Sequence, residues 1–308
     1  MLDARLKTFL TLCELKSYTK TAHRLFITQP AVTQHIQFLE KQYGAKLFCY
    51  NGKQLTLTPK GELLHWYVLT QAADERKICS LLRESDPQSH RINFGVTLSI
   101  GEFIMPQILA QYLAKYPAHQ ISMATENTQT LLHRLKEGKI DFAILEGRFN
   151  KSKYGHTLLS REPFEAVCAP SFPLPPRISS LDELTDYPVI VREQGSGTRD
   201  ILENILHGYN LSLKDFRRVY EIGNFQTIKH LVGQGCGITF AYHPVVKEEL
   251  ERKSLRKIEI EGLAIEREFN FVYLKESIFK QEHLAFHRFC AEIYSAQAGF
   301  SKREDEYV

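Results

Sequence analysis

Apolar residues in the first sixty positions recur at helical spacing. Leu6, Phe9, Leu10 and Cys13 mark one helix, and a second, short helix is predicted over 19–25, with Thr19 as its cap and Ala22 and Leu25 turned inward. After a tight connection at Phe26-Ile27, Thr28 caps a third helix with Pro30 in its first turn, where a missing N–H costs nothing. Val32, Ile36, Leu39 and Tyr43 form its buried stripe, and Gly44 stands where helices end in a left-handed conformation. The opposite face carries Gln29, Thr33, Gln34 and Gln37. These side chains donate and accept hydrogen bonds, as base edges in a major groove require. Residues 47–50 and 54–57 read as strands around Asn51-Gly52, a hairpin signal with Lys53 beside its tip. Helix, turn, helix and hairpin make a winged helix-turn-helix. A three-helix docking domain with a solvated polar face is the plainer alternative.

From Thr58, as cap, and Pro59, a long helix is predicted to about residue 85. Leu64, Val68, Ala72, Glu75, Ile78 and Leu82 trace one seam, with Leu63, Trp66, Tyr67 and Leu81 beside it. That much apolar surface needs a partner. A second copy of the helix is favoured over the helix's own domain, because the segment lies between two modules. Residues 86–89 (Asp-Pro-Gln-Ser) read as a hinge-like link.

Beyond Arg91 the pattern changes to strands alternating with helices, which predicts a mainly parallel sheet. Strands are expected over 91–96, 120–125, 140–145, 164–169, 189–191, 218–221, 237–241 and 268–274. Helices are expected over 103–116, 128–137, from 198, over 225–233 and over 280–296. Two α/β lobes with chain crossings near 161 and 267 would account for this order.

Composition sharpens the division. The 308 residues hold 39 Lys+Arg and 36 Asp+Glu, a net charge of +3. Residues 1–61 hold nine Lys+Arg and three Asp+Glu, so a +6 head adjoins a body of −3. No apolar run reaches a membrane-spanning length, and no charged stretch followed by an apolar block opens the chain; a cytoplasmic protein is the default expectation. The six cysteines are scattered, without metal spacing, and read as buried small hydrophobes.

Several motifs coincide with one known family. Residues 17–25 (Ser-Tyr-Thr-Lys-Thr-Ala-His-Arg-Leu), 28–36 (Thr-Gln-Pro-Ala-Val-Thr-Gln-His-Ile), Leu39-Glu40, Gly44-Ala45-Lys46-Leu47-Phe48 and Leu57-Thr58-Pro59-Lys60-Gly61 resemble the LysR-type transcriptional regulators. The resemblance implies an α/β protein with an N-terminal winged helix-turn-helix (1–58) and a long linker helix that dimerises (59–88). It further implies a bilobal, periplasmic-binding-protein-like effector domain, with lobe I over 91–161 and 268–300 and lobe II over 162–267. The DNA-binding set is then Thr28, Gln29, Pro30, Thr33, Gln34, Gln37, Tyr50 and Lys53. The family usually keeps arginines where this chain has Gln34 and Tyr50, which argues for fewer cationic contacts to DNA. A double-stranded DNA operator, a small-molecule effector, homodimers through 59–88 that pair into tetramers, and RNA polymerase are the implied partners; no cofactor or metal is expected.

In open α/β sheets, ligands sit at the carboxyl ends of strands beside helix N-termini. The loops there supply Thr97, Ser99 and Ile100; Asn127 and Thr128; Glu146 and Gly147; Ser196, Gly197, Thr198 and Arg199; and Thr227. Hydroxyls, free backbone amides and an Arg suit an anion. The competing reading is that these are ordinary helix caps. The resemblance extends here to the branch that regulates carbon fixation and sulfur assimilation, which answers to small anionic or phosphorylated metabolites. An enzyme or a receptor without a DNA role is the alternative. Against it, Gly195-Ser196-Gly197 is preceded by Gln194 and lacks an assignable base, and the glycine-rich 233–237 follows a helix where a dinucleotide loop would follow a strand.

Overall fold

A computed structural model describes residues 3–83 and 90–297. The expected link at 86–89, the end of the long helix near 85 and the charged tail at 301–308 lie outside the described residues.

The head consists of α1 (Ala4–Leu15), α2 (Tyr18–Leu25), α3 (Gln29–Tyr43), β1 (Phe48–Asn51) and β2 (Gln54–Leu57). Each helix starts where a short polar side chain accepts a backbone N–H: Asp3 from Arg5, Ser17 from Lys20 and Thr28 from Ala31. Ser17, not Thr19, therefore caps α2; Thr19 already lies inside the helix. Phe9, Leu12, Ile36, Leu39, Leu47 and Leu55 close the core of the head. Tyr43 departs from the expected buried stripe of α3 and is exposed, because the helix ends there and Gly44 turns the chain away. The hairpin pairs Asn51 with Gln54, so its turn is Gly52-Lys53, one residue later than the sequence suggests. Gly52 takes a left-handed φ of 61° there, which a glycine adopts without strain.

The connecting helix α4 (Pro59–Leu81) is about 34 Å long and is capped by Thr58. Its seam divides. Leu64 and Val68 complete the head core, and Trp66 and Ala73 pack on a second cluster that includes Leu132 and Tyr154. Polar fasteners follow: Asp74 accepts from Ser277 Oγ (2.6 Å), and Lys77 pairs with Glu282 (2.7 Å) and Asp141 (3.6 Å). Half of the surface assigned to a partner is thus covered by the same chain. Leu63, Tyr67, Ile78 and Leu82 remain exposed.

The body has two lobes built on a mixed eight-stranded sheet and a separate parallel pair of strands in lobe II. In lobe I, β3 (Arg91–Val96) pairs in parallel with β4 (Gln120–Thr125) and β5 (Phe142–Leu145), carrying α5 (Leu98–Phe103), α6 (Met105–Lys115) and α7 (Thr128–Lys136). The helix expected over 103–116 is α6, starting two residues later. It is parted from the short α5 at Ile104, because Pro106 has no N–H to offer the preceding turn. The next strand, β6 (Gly155–Cys168), is far longer than the expected 164–169. Lobe II contains β7 (Arg177–Ile178), β8 (Pro188–Val191), α8 (Gly197–Gly208), β9 (Arg218–Glu221), α9 (Phe225–Gly233), β10 (Thr239–Tyr242), α10 (His243–Glu251) and β11 (Arg256–Ile260). The chain returns along β12 (Glu266–Tyr273) and ends in α11 (Lys280–Gln297).

The parallel expectation holds for β3–β4–β5 and β8–β9, but β6 pairs antiparallel with β10, β11 and β12. The charged run 247–257 splits into the end of α10 and the start of β11. Cys49, Cys79 and Cys236 are exposed, contrary to expectation; Cys236 sits in the turn before β10 rather than on a buried strand. All six cysteines are free, and burial pushes the Cys13 and Cys290 thiols upward, away from the reactive thiolate.

A Cβ at Gly61 would lie 2.0 Å from the Leu47 carbonyl oxygen, where backbone cannot rotate aside. Gly61→Ala should lower the stability of the full chain by about 2 kcal/mol, read as a fall in urea midpoint. An unchanged midpoint would show that the joint between head and α4 yields freely.

Candidate nucleic-acid interface and inter-lobe cleft

The exposed face of α3 is assembled as its spacing requires. Gln29, Pro30, Gln34 and Gln37 are exposed and Thr33 is half-buried, with Gln29 Nε2 donating to Thr33 Oγ1 at 3.2 Å. Thr28 spends its hydroxyl on the cap, which sets the start of α3 and leaves the amides along its first turn facing outward. Behind it, Thr8 Oγ1 lies 2.9 Å from His35 Nδ1 and locks α1 to α3. The wing is tied to the same helix. Glu40 accepts from the Leu47 N–H at 2.9 Å and pairs with Lys46 at 2.6 Å. Tyr50 and Lys53 project from the hairpin, both exposed. Phe26, 95% exposed in a left-handed turn, was read only as a connection; it stands beside Lys20 and Arg24 at the rim of the head.

The second site forms where the lobes meet. Glu146 follows β5 directly and is 6% exposed. Its Oε1 accepts from Ser99 of lobe I at 3.3 Å and from Thr198 of lobe II at 3.4 Å, and the two hydroxyls lie 3.4 Å apart. Burial pushes the carboxyl up to about 7, against Ser99, Arg192, Thr198 and Thr97, which favour its charged form. Its Oε2 and the Tyr242 hydroxyl, both buried, have no hydrogen-bond partner among the described residues.

Asn127, Thr128, Gly147 and Gly197 line a cavity of about 390 Å³ at this junction, together with Arg148 and Asn204. A larger space of about 680 Å³ opens beyond Glu146 and Gly147, bounded by Arg148, Arg161 and Arg267. Other sequence-selected residues have different employment. Asn127 caps α7 by accepting from the Thr130 N–H. The Ile100 side chain is in the core. Ser196 precedes α8 with no capping bond from its side chain. Arg199 is held by Glu203 and Glu221, so its charge is already answered within lobe II. Thr227 is exposed in the first turn of α9, tied to Asn224, away from both cavities.

Sequence reasoning missed Arg148 and Arg192. Arg148 makes no ion pair among the described residues, whereas the buried Arg192 pairs with Glu193 at 2.8 Å and lies over the Phe225 ring at 4.6 Å. Both follow strands by one to three positions, so the carboxyl-end rule could have found them had it been carried past Gly147 and back from Gln194. Among the described residues no group of three or more His, Cys, Asp or Glu side chains could hold a metal, and no helix is long and apolar enough to cross a membrane.

Residues 4–62 match the family model described as a bacterial regulatory helix-turn-helix protein of the lysR family, and residues 85–294 match the LysR substrate binding domain. The transcriptional regulator CysL of Bacillus subtilis is 28% identical over 280 residues, 87% of this chain and 89% of CysL. Among solved structures, a cysteine mutant of Corynebacterium glutamicum OxyR superposes with a TM-score of 0.59 at 21% identity, over 98% of this chain and 96% of that one. The regulatory domain of CcmR from Synechocystis PCC6803, in complex with 2-PG, gives 0.57 at 24% identity, over 65% of this chain and 96% of the domain.

A folded chain that keeps a proton on Glu146 between pH 4.5 and about 7, after the unfolded chain has released it, loses stability as pH rises through that window. The full effect is about 3 kcal/mol. Glu146→Gln should remove it: the urea midpoint of the wild type should fall, relative to the variant's, between about pH 5 and about pH 8. Parallel pH profiles would contradict the buried, proton-holding carboxyl.

Proposed function

The chain belongs to the LysR-type transcriptional regulators, and on that premise we propose how its parts share the work. It is a DNA-binding transcriptional regulator with an effector-binding domain. The head (1–58) enters the major groove with Gln29, Pro30, Thr33, Gln34 and Gln37 toward base edges, while Lys53 and Tyr50 of the wing meet the backbone. The exposed polar face of α3 carries this reading, because it lies on the one module with a strong positive charge. Segment 59–88 joins two copies through the apolar residues that α4 leaves uncovered, Leu63, Tyr67, Ile78 and Leu82. Pairing of dimers into tetramers and contact with RNA polymerase are the further partners. The protein works in the cytoplasm, without enzymatic turnover.

The effector is a small anion held between lobe I (91–161 and 268–300) and lobe II (162–267). Ser99, Thr128 and Thr198 offer hydroxyls, and the free Arg148 offers charge. The complex of CcmR with 2-PG supports the class of ligand. Glu146 fits it only when protonated, since a neutral carboxyl donates a hydrogen bond where a carboxylate would repel. Arg199, already paired, is given the role of bracing α8.

A gel shift on the DNA upstream of the protein's own gene tests the first half. Binding should exceed that to unrelated duplex and fall steeply with salt. Lys53→Ala should weaken both and reduce the salt slope by about 1. Equal affinity for both duplexes would sink the reading.

A further inference from the structure

The head, α4 and lobe I enclose a separate cavity of about 590 Å³. Its charges are lopsided. Lys16 comes from the end of α1, Lys136 from α7, and Arg148 and Lys153 from the segment between β5 and β6, with Glu62 as the sole carboxylate in the lining. Glu62 answers Lys153 at 3.3 Å, while Lys16, Lys136 and Arg148 make no ion pair among the described residues. The amines of Lys136 and Lys153 both lie near one indole, 5.7 and 5.9 Å from the Trp66 ring centroid. Trp66 in turn packs edge-on against Tyr154, so it cannot swing away to relieve them. The head and lobe I, from distant parts of the sequence, thus bring four cations to one space lined on its third side by α4. Their mutual repulsion is a cost that a multivalent anion would cancel.

We propose that this cavity binds a compact multivalent oxyanion of the phosphate class, at a second site beside the inter-lobe cleft, with which it shares Arg148. His65 reports the same field. Burial, then Lys136 and Lys153, push its imidazole down to about 4, with Glu62 alone pulling the other way. The same burial and the neighbouring Lys153 lower the Lys136 ammonium. An anion seated among these groups reverses both effects, and it joins the head to the body through ligand.

Trp66 is the only tryptophan in the chain, so its emission reads this site alone. Inorganic pyrophosphate is the probe, added to the full chain without DNA at constant ionic strength. Saturable change in Trp66 emission is expected. The doubly substituted chain with Lys136→Met and Lys153→Met should bind about tenfold more weakly, while Thr198→Val in the cleft should bind as the wild type does. In the wild type, the His65 titration followed by NMR should move upward when pyrophosphate is present. No saturable change, an unmoved His65, or equal binding by the lysine variant would overturn the proposal. So would a response to random-sequence duplex and none to pyrophosphate, which would assign these cations to DNA phosphate. None of these outcomes bears on sequence-selective operator binding, which the gel shift reads.

Discussion

The antiparallel pairing of β6 with β12 is the constraint on which the two-lobed body depends. These strands pair from Gly155 opposite Tyr273 to Pro163 opposite Glu266, with a register shift between Phe269 and Asn270. One end of the ribbon is bonded to β5 in lobe I, and β6 continues past the other end to β10 and β11 in lobe II. Two strands carry the chain between the lobes, and beside them one apolar cluster runs from Phe94 and Ile100 of lobe I to Ile228 and Phe240 of lobe II. Arg161 and Arg267 lie on that ribbon and bound the larger cavity, which places charge at the hinge itself.

Where the ribbon holds the lobes together, Ser99, Glu146 and Thr198 decide how they meet. A carboxyl at this depth is costly when ionised, and its two hydroxyl partners come from opposite lobes. Opening the cleft rehydrates Glu146, and closing it favours the proton. A ligand that binds one arrangement better shifts the balance by that difference and no more. The segment after Glu146 runs on through Arg148 and Phe149 to the cavity beside Trp66 of α4. Movement at the cleft thus has a short covalent path to the helix that carries the head, and α4 is fastened to lobe I at Asp74 and Lys77 rather than hanging free.

How much of this could be read beforehand differs by element. The stripe of Val32, Ile36 and Leu39, the glutamines opposite it and the stop at Gly44 are local, and spacing alone reveals them. Strands β3, β4 and β9 and helix α9 match their expected bounds for the same reason. The first half of β6 was missed because Gly155, His156, Thr157 and Ser160 do not form an apolar run; only pairing with β12 makes them strand. The seam of α4 was half misassigned, since nothing in sequence tells whether Leu64 and Val68 meet another copy or the core of their own head. At the cleft, Glu146 and Thr198 were visible as loop residues beyond strands, but not that they would touch. Arg199 looked free in sequence because Glu221 reaches it only through the fold.

If the protein works as proposed, the distance between the lobes controls how the heads engage DNA. The hydroxyls of Ser99 and Thr198 are close enough for paired cysteines to bridge, so oxidation of the Ser99→Cys, Thr198→Cys chain would hold the lobes shut without any ligand. A DNase I footprint of that chain on its upstream DNA should change in extent or affinity on oxidation and revert with reductant, while the wild-type footprint stays constant. Identical footprints for the oxidised and reduced chain, with the bridge verified by mass, would contradict the claim.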